Sequence, residues 1–391
     1  MKTKPDIKDL LTRGVSEIIP DKKEFEKLLS KKKIKLYLGI DPTGGKLHLG
    51  HTINLLKLQE FAELGHEAIL IIGTGTVLAG DPSQRDKARK KISQKEVKEN
   101  IKTWKKQAGK VVDLSKVKIK YNGDWILKLK YEDIVNIASN ISAIKLFQRE
   151  MFQRRVKKGN TVWTHETLYP LMQGYDSVYL DVDLEIGGTD QVFNMLIGRD
   201  LQKKMNNREK FVMTCNMITG TDGQQMSKTS GNCIWIEDSS KDKFGKIMSL
   251  PDGSIFDYFE LVTRVPMAEI EEMRKSGTNP KSLKAKLAKE IVTMYHGEKE
   301  AEKAKKEFEK VFSKKEIPTN IPEIKIKEKE INILDLLVKT KMASSKSEAK
   351  RLVEQGGIKI DNKVKKDWKE KIMTKHGSIV QVGKRKFIKL I

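Results

Sequence analysis

His48 and His51 stand three residues apart in the stretch DPTGGKLHLGH, Asp41–His51. At a turn between a strand and a helix, two imidazoles so spaced share one face. They can donate hydrogen bonds to a triphosphate whose charge shifts in a transition state, where a helix N-terminus already aims amides and a positive dipole at phosphate. Gly50 between them permits a close backbone approach. A pair of surface histidines capping a helix has the same signature, so the motif alone leaves both readings open. A second loop, GTGTVLAGDPSQRDKAR (Gly73–Arg89), mixes glycines with one acid and several cations, as a phosphate-facing turn or an ordinary strand-to-helix turn would. In YPLMQGYD, Tyr169, Gln173 and Asp176 fall at i, i+4 and i+7 of an otherwise apolar helix, so three polar groups share one face; they suit either a polar ligand or a satisfied buried network. IGGTDQVFN (Ile186–Asn194) puts two glycines, an acid and an amide at another strand-to-helix turn, and DGQQMSKTSGN (Asp222–Asn232) reads as a small mobile loop bearing Lys228 and Thr229.

The elements that must hold these groups alternate strand and helix. KLYLGI (Lys35–Ile40), AILIIG (Ala68–Gly73), Val117–Tyr121, a run near Tyr179–Ile186 and Phe211–Thr214 read as strands. Leu49–Leu64, Tyr131–Lys158 and Gln191–Lys204 read as helices. That order predicts an open, Rossmann-like parallel α/β sheet with a helical insertion at about 125–165, in a catalytic domain of residues 1–232. A charged all-helical domain follows over 233–313, then a proline-containing linker over 314–330. The last 61 residues read as a small α+β module with helices at Ile333–Val338 and Ser345–Gln355 and short strands GIKI, SIVQV and KFIKL.

Of the 391 residues, 77 are Lys or Arg and 53 Asp or Glu, a net charge of +24, and residues 331–391 alone carry +10. Such a surplus points to an anionic partner. Lys346, Lys350 and Arg351, at helical spacing, suit RNA phosphates better than base edges. Neither DNA nor a membrane is expected, since the longest strongly apolar run, Ala68–Ile72, is far short of the roughly 20 residues a spanning helix needs. Cys215 and Cys233 lack a CxxC spacing or a neighbouring His cluster, so neither a disulfide framework nor a resident metal site is expected, and a reducing cytoplasm fits.

Taken together and in order, HLGH and MSK resemble the two signatures of class I aminoacyl-tRNA synthetases; YLGIDPT, GDPS, YNGDW, YPLMQGYD and IGGTDQ resemble the bacterial tyrosyl-tRNA synthetases among them, from about residue 30 to the C-terminus. The resemblance implies activation of L-tyrosine by ATP, with Mg2+ bound to the nucleotide, then transfer to the terminal adenosine of a tyrosine tRNA by a homodimer joined through the insertion. It also implies roles. Tyr37 and Asp176 would hold the tyrosine hydroxyl, and Thr76, Asp81, Tyr169, Gln173 and Gln191 the amino group. Gly39, Asp41, Gly50, Gly188, Asp190 and Lys228 would face ATP. Thr43, His48, His51, Arg85, Arg89, Lys228 and Thr229 would act on the phosphates and the departing pyrophosphate. The chain departs from the pattern at Leu38, where many relatives carry Cys, at Glu185, where some carry Gln, and at Gln225, where a lysine is usual. A tryptophan-specific relative and a catalytically weakened RNA-binding paralogue are the competing readings; tyrosine-dependent pyrophosphate exchange separates them.

Overall fold

Lys35–Ile40 (β2) and Glu67–Ile72 (β3) are short apolar runs buried almost throughout, as strands covered on both faces must be. They pair in parallel, Leu36 opposite Ala68 and Ile40 opposite Ile72. With Val15–Ile19 (β1), Val117–Tyr121 (β4), Leu184–Gly188 (β5) and Phe211–Cys215 (β6) they form a six-stranded sheet in the order β1-β6-β5-β2-β3-β4. Only β1, at the edge and not foreseen from the sequence, is antiparallel. The computed structural model describes residues 6–83, 92–228, 230–313, 321–326, 328–383 and 386–391. The chain forms two compact units, Met1–Glu298 and Lys299–Ile391.

Helix α1 (Leu49–Glu63) returns the chain from β2 to β3, with ten of its fifteen residues buried. The predicted continuous helix Tyr131–Lys158 is instead three helices, α2 (Tyr131–Ser139), α3 (Ala143–Phe147) and α4 (Glu150–Lys157). The breaks lie at Ser142 and Arg149, both in extended rather than helical backbone. Helix α5 (Thr164–Leu180) ends at Asp181, which adopts the left-handed conformation (φ 49°). The chain therefore enters β5 at Leu184, and Tyr179 and Leu180, read as strand, belong to the helix. Helix α5 lies directly on α6 (Val192–Asn206), because a side chain at Gly174 would meet Gly198 Cα at 3.1 Å and Leu201 at 2.8 Å. The helical segment that begins with α7 (Ser240–Met248), α8 (Ile255–Val262) and α9 (Pro280–His296) belongs to the first unit.

In the second unit, α10 (Ile333–Lys339) and α11 (Lys346–Glu354) pack with the strands around a core of Leu336, Leu337, Ala349, Val353, Ile358 and Val380. Ser345 caps α11 by accepting from the Glu348 amide. Within the stretch read as a linker, Glu323–Ile324 pairs in parallel with the last strand, Lys386–Leu390. No helix among the described residues is long and apolar enough to cross a membrane.

Candidate active site

The sheet order reverses between β2 and β5, and a cleft of about 680 Å3 opens at their carboxyl ends, the place where open α/β sheets bind ligands. Gly39, Asp41, Thr43, His48, Gly50 and His51 line it after β2, and Thr76 and Asp81 after β3. Tyr169, Gln173 and Asp176 come from α5, Gly188, Asp190 and Gln191 from the turn after β5, and Lys228 from the loop after β6. Tyr37 stands behind the wall, 1% exposed. Arg85, Arg89 and Thr229 lie outside the described residues.

At one end the turn Asp41–His51 is braced from outside. Trp104 Nε1 donates to the Gly44 carbonyl at 3.0 Å, and Gln107 accepts from the Leu47 amide and donates to the Gly45 carbonyl, both at 2.8 Å. On the other flank the Leu49 amide donates to the Ile234 carbonyl and the Ile236 amide to the Leu47 carbonyl, both at 2.9 Å, a short bridge beside the second signature. The buried Lys243 ammonium holds that second segment through the carbonyls of Trp235 (2.9 Å) and Ile236 (2.8 Å). The two imidazoles then lie against one another, tilted by 47° with 3.8 Å between ring centres. His51 Nδ1 accepts the His48 amide at 3.2 Å, which leaves its proton on Nε2. Gly50 keeps the ring in place, because a Cβ there would press on the His48 imidazole at 3.0 Å and the ring would have to shift. Burial, then the Lys228 ammonium, push His48 down to about 3; burial, then His48 and Lys228, hold His51 well below the usual histidine range. Both are neutral donors at pH 7. Lys228 Nζ reaches across to Thr43 Oγ1 at 3.3 Å. Gln225 also lines the cleft, its amide against Met217 Sδ at 3.5 Å, and Leu38 presents an apolar wall.

The other end collects acceptors. Asp176 is 2% exposed, and each of its oxygens takes an N–H: Oδ2 from Asn122 at 3.0 Å and Oδ1 from Trp125 Nε1 at 2.8 Å. Burial raises its pKa to about 8 against the pull of those two donors, but an N–H aimed at each oxygen is the arrangement of the ionised form, since a protonated oxygen would itself need an acceptor. Asn122 also donates to Thr76 Oγ1 at 3.0 Å, and Thr76 donates to Asp41 Oδ1 at 2.8 Å. Gly73 makes room for that last bond, since a Cβ would fall 1.9 Å from Asp41 Oδ1. Asp81 accepts from Ser83 Oγ at 2.6 Å and from Gln191 Nε2 at 3.0 Å. The nearby cation is Arg149, 6% exposed, hydrogen-bonded to Ser83 and 3.7 Å from Asp81. Gln173 donates to Glu185 at 3.0 Å, and Glu185 pairs with the fully buried Lys210. Asn122, Trp125, Ser83, Arg149, Glu185, Ser177 and Lys210 were not foreseen as site residues. GDPS, YNGDW and the Glu185 departure were the available signals; Ser177, Arg149 and Lys210 had none.

A β2–β5 cleft with imidazoles and a lysine at one end defines a class I aminoacyl-tRNA synthetase, and residues 29–313 match the family of tRNA synthetases class I (W and Y). Residues 313–390 match the tyrosine--tRNA ligase SYY-like C-terminal domain. The chain belongs to the tyrosine--tRNA ligase family. It is 42% identical to the tyrosine--tRNA ligase of Thermotoga maritima over 97% of this chain and 96% of that one, and 42% identical to that of Carboxydothermus hydrogenoformans over 98% and 97%. In fold it is similar to a C-terminally truncated mitochondrial tyrosyl-tRNA synthetase of Aspergillus nidulans (TM-score 0.68, 21% identity, 78% of this chain and 93% of that one). It is also similar to the tyrosyl-tRNA synthetase of Archaeoglobus fulgidus complexed with L-tyrosine (TM-score 0.61, 23% identity, 76% and 98%). The reaction is that of the family: ATP-dependent activation of L-tyrosine to tyrosyl-adenylate, then transfer of tyrosine to the 3'-terminal adenosine of its tRNA.

Because both Asp176 oxygens accept N–H groups, either orientation of an amide at that position turns an NH2 against a donor. Asp176→Asn is expected to cost about 1–3 kcal/mol in kcat/KM for tyrosine, through KM, while KM for ATP stays unchanged. Steady-state pyrophosphate exchange checks this, and an unaltered tyrosine KM removes Asp176 from the pocket.

Proposed function

We propose that the cleft binds tyrosine with its hydroxyl toward Asp176 and Tyr37 and its ammonium among Tyr169, Gln173, Asp81 and Gln191, with ATP along Gly39, Asp41, Gly50, Gly188 and Asp190. The observation that carries this is the sorting of polar groups: carboxylates and amides gather at one end, while two neutral imidazole donors and Lys228 gather at the other. A ligand with a phenol and an ammonium at one end and phosphates at the other matches that sorting. The tyrosine carboxylate attacks the α-phosphate in line, and catalysis consists of positioning plus stabilisation of the charge leaving with pyrophosphate. His48 and His51 donate to it as neutral groups, and Thr43 and Lys228, with Arg85, Arg89 and Thr229 by resemblance, follow it. Magnesium arrives with ATP as part of the substrate. His48→Ala is expected to slow adenylate formation by about 2–4 kcal/mol of activation free energy with little change in tyrosine affinity. Single-turnover kinetics test this, and an unchanged rate with weaker tyrosine binding excludes the role.

Two further readings rest on surfaces of the separate units. Nine of the fourteen large hydrophobic residues most exposed among those described fall between Leu127 and Tyr179, including Tyr131 (82% exposed), Ile144 (72%) and Trp163 (55%). So many exposed apolar side chains within one stretch of chain support a homodimer formed through the insertion. Ile144→Glu is expected to give a monomer in sedimentation equilibrium; a wild-type protein that is already monomeric at micromolar concentration defeats the reading.

The second unit supports tRNA binding through phosphates, given its charge of +10 over residues 331–391 and the cations Lys346, Lys350 and Arg351 on α11. A chain ending at Ser313 should keep pyrophosphate exchange, charge tRNA poorly, and show a shallower dependence of tRNA affinity on salt. Equal slopes for the two proteins mean that residues 314–391 make no phosphate contacts. Free buried thiols at Cys215 and Cys233 support a reducing, cytoplasmic setting.

A further inference from the structure

Behind the amino-acid end of the cleft lies a buried ion pair that the reaction itself does not require. Lys210, just before β6, is fully buried, and Glu185 on β5 is 2% exposed. The space for the ammonium comes from α6, where a Cβ on Gly198 would fall 2.7 Å from Lys210 Nζ. Burying two charges is costly, and a pair of apolar side chains of the same size is often no less stable, so such a pair is poor evidence for stability. What it can supply is direction.

An ammonium only donates and a carboxylate only accepts. Lys210 Nζ lies 2.5 Å from Ser177 Oγ, so Ser177 must accept there and keep its own proton to give away. Ser177 Oγ lies 2.8 Å from Tyr37 Oη, a contact in which either oxygen can donate. With Ser177 donating, Tyr37 accepts there and turns its phenolic proton to a third group, on the side where the Glu185 carboxylate also faces it. Burial, Glu185 and Asp176 all raise its pKa well above the usual tyrosine range, so it stays a donor. The other arm runs through Glu185. Its Oε1 accepts from Gln173 Nε2 at 3.0 Å, which fixes the amide with its oxygen on the opposite side, and that Oε1 is buried with no partner among the described residues. Gln173 lines the cleft.

We propose that Lys210 and Glu185 are a positioning pair for amino-acid specificity: through Ser177 they make Tyr37 a donor to the ligand's hydroxyl oxygen, and through Gln173 they present an acceptor to its ammonium. The proposal rests on the reading of this end of the cleft as the tyrosine pocket. It gives Glu185, the departure from relatives that carry Gln, a function coupled to Lys210. It also accounts for rejection of phenylalanine, which leaves the Tyr37 proton without an acceptor.

The test uses the full-length protein and compares kcat/KM for tyrosine and phenylalanine in pyrophosphate exchange. Glu185→Gln alone strands a buried ammonium and is expected to destabilise the fold. The informative variants are therefore Ser177→Ala, which cuts the relay and leaves the charges, and the neutral double variant Glu185→Gln/Lys210→Met. Both are expected to raise tyrosine KM and to lower the tyrosine/phenylalanine ratio about tenfold, a change of about 1.4 kcal/mol, with KM for ATP unchanged. A folded double variant with wild-type tyrosine KM and wild-type ratio overturns the proposal, since a pair that only holds the fold together has nothing more to lose once its charges are gone. Wild-type values in Ser177→Ala overturn the relay arm. Asp176→Asn is the control for the pocket itself: if it leaves tyrosine KM and the ratio untouched, the pocket reading falls and the proposal with it. If Asp176→Asn alters both and the double variant alters neither, only the proposal falls.

Discussion

A carboxylate taken out of water must be answered by donors or a cation, and the end of this cleft that holds Asp176, Asp81 and Glu185 is organised around meeting that requirement several times within one small volume. Asp176 is answered by an indole and an amide, Asp81 by a hydroxyl, an amide and a guanidinium, and Glu185 by an ammonium and an amide. Several of these partners serve a second group of the same network, Asn122 also donating to Thr76 and Lys210 to Ser177. The cleft therefore meets its ligand with its hydrogen-bond directions already chosen, and the cost of orienting them was met during folding.

The opposite end follows a different logic. There the groups are short of charge: two imidazoles kept neutral by burial and a neighbouring ammonium, at the start of a helix whose amides face the same way. A donor that is neutral and fixed gains most when charge appears in front of it, so this end is suited to a change during reaction more than to tight binding of the ground state. On the proposed reading, acceptors at one end and poised donors at the other divide selection of the amino acid from acceleration of its activation.

What the sequence revealed follows the same division. His48, His51 and Gly50 are legible because a strand-to-helix turn is local, and Tyr169, Gln173 and Asp176 because helical spacing gathers them without any tertiary contact. The partners are another matter. Asp81 meets Gln191 across 110 positions and Asp176 meets Trp125 across 51. Lys210 looked like any other lysine of a lysine-rich chain until the fold enclosed it. The helical period over Tyr131–Lys158 likewise hid the break at Arg149, where an extended backbone puts the guanidinium beside Asp81. Edge strand β1 escaped notice because only Ile18 of its residues is buried and no alternation marks it.

That break at Arg149 also ties two equilibria together. The countercharge of Asp81 is carried only a few residues from Ile144 and Phe147, both exposed and apolar. Whatever covers those side chains restricts the segment that carries the guanidinium, and whatever fills the pocket restricts the same segment from within. Thermodynamic linkage makes any such coupling reciprocal: the factor by which occupancy of the pocket changes coverage of the outer face equals the factor by which coverage changes occupancy.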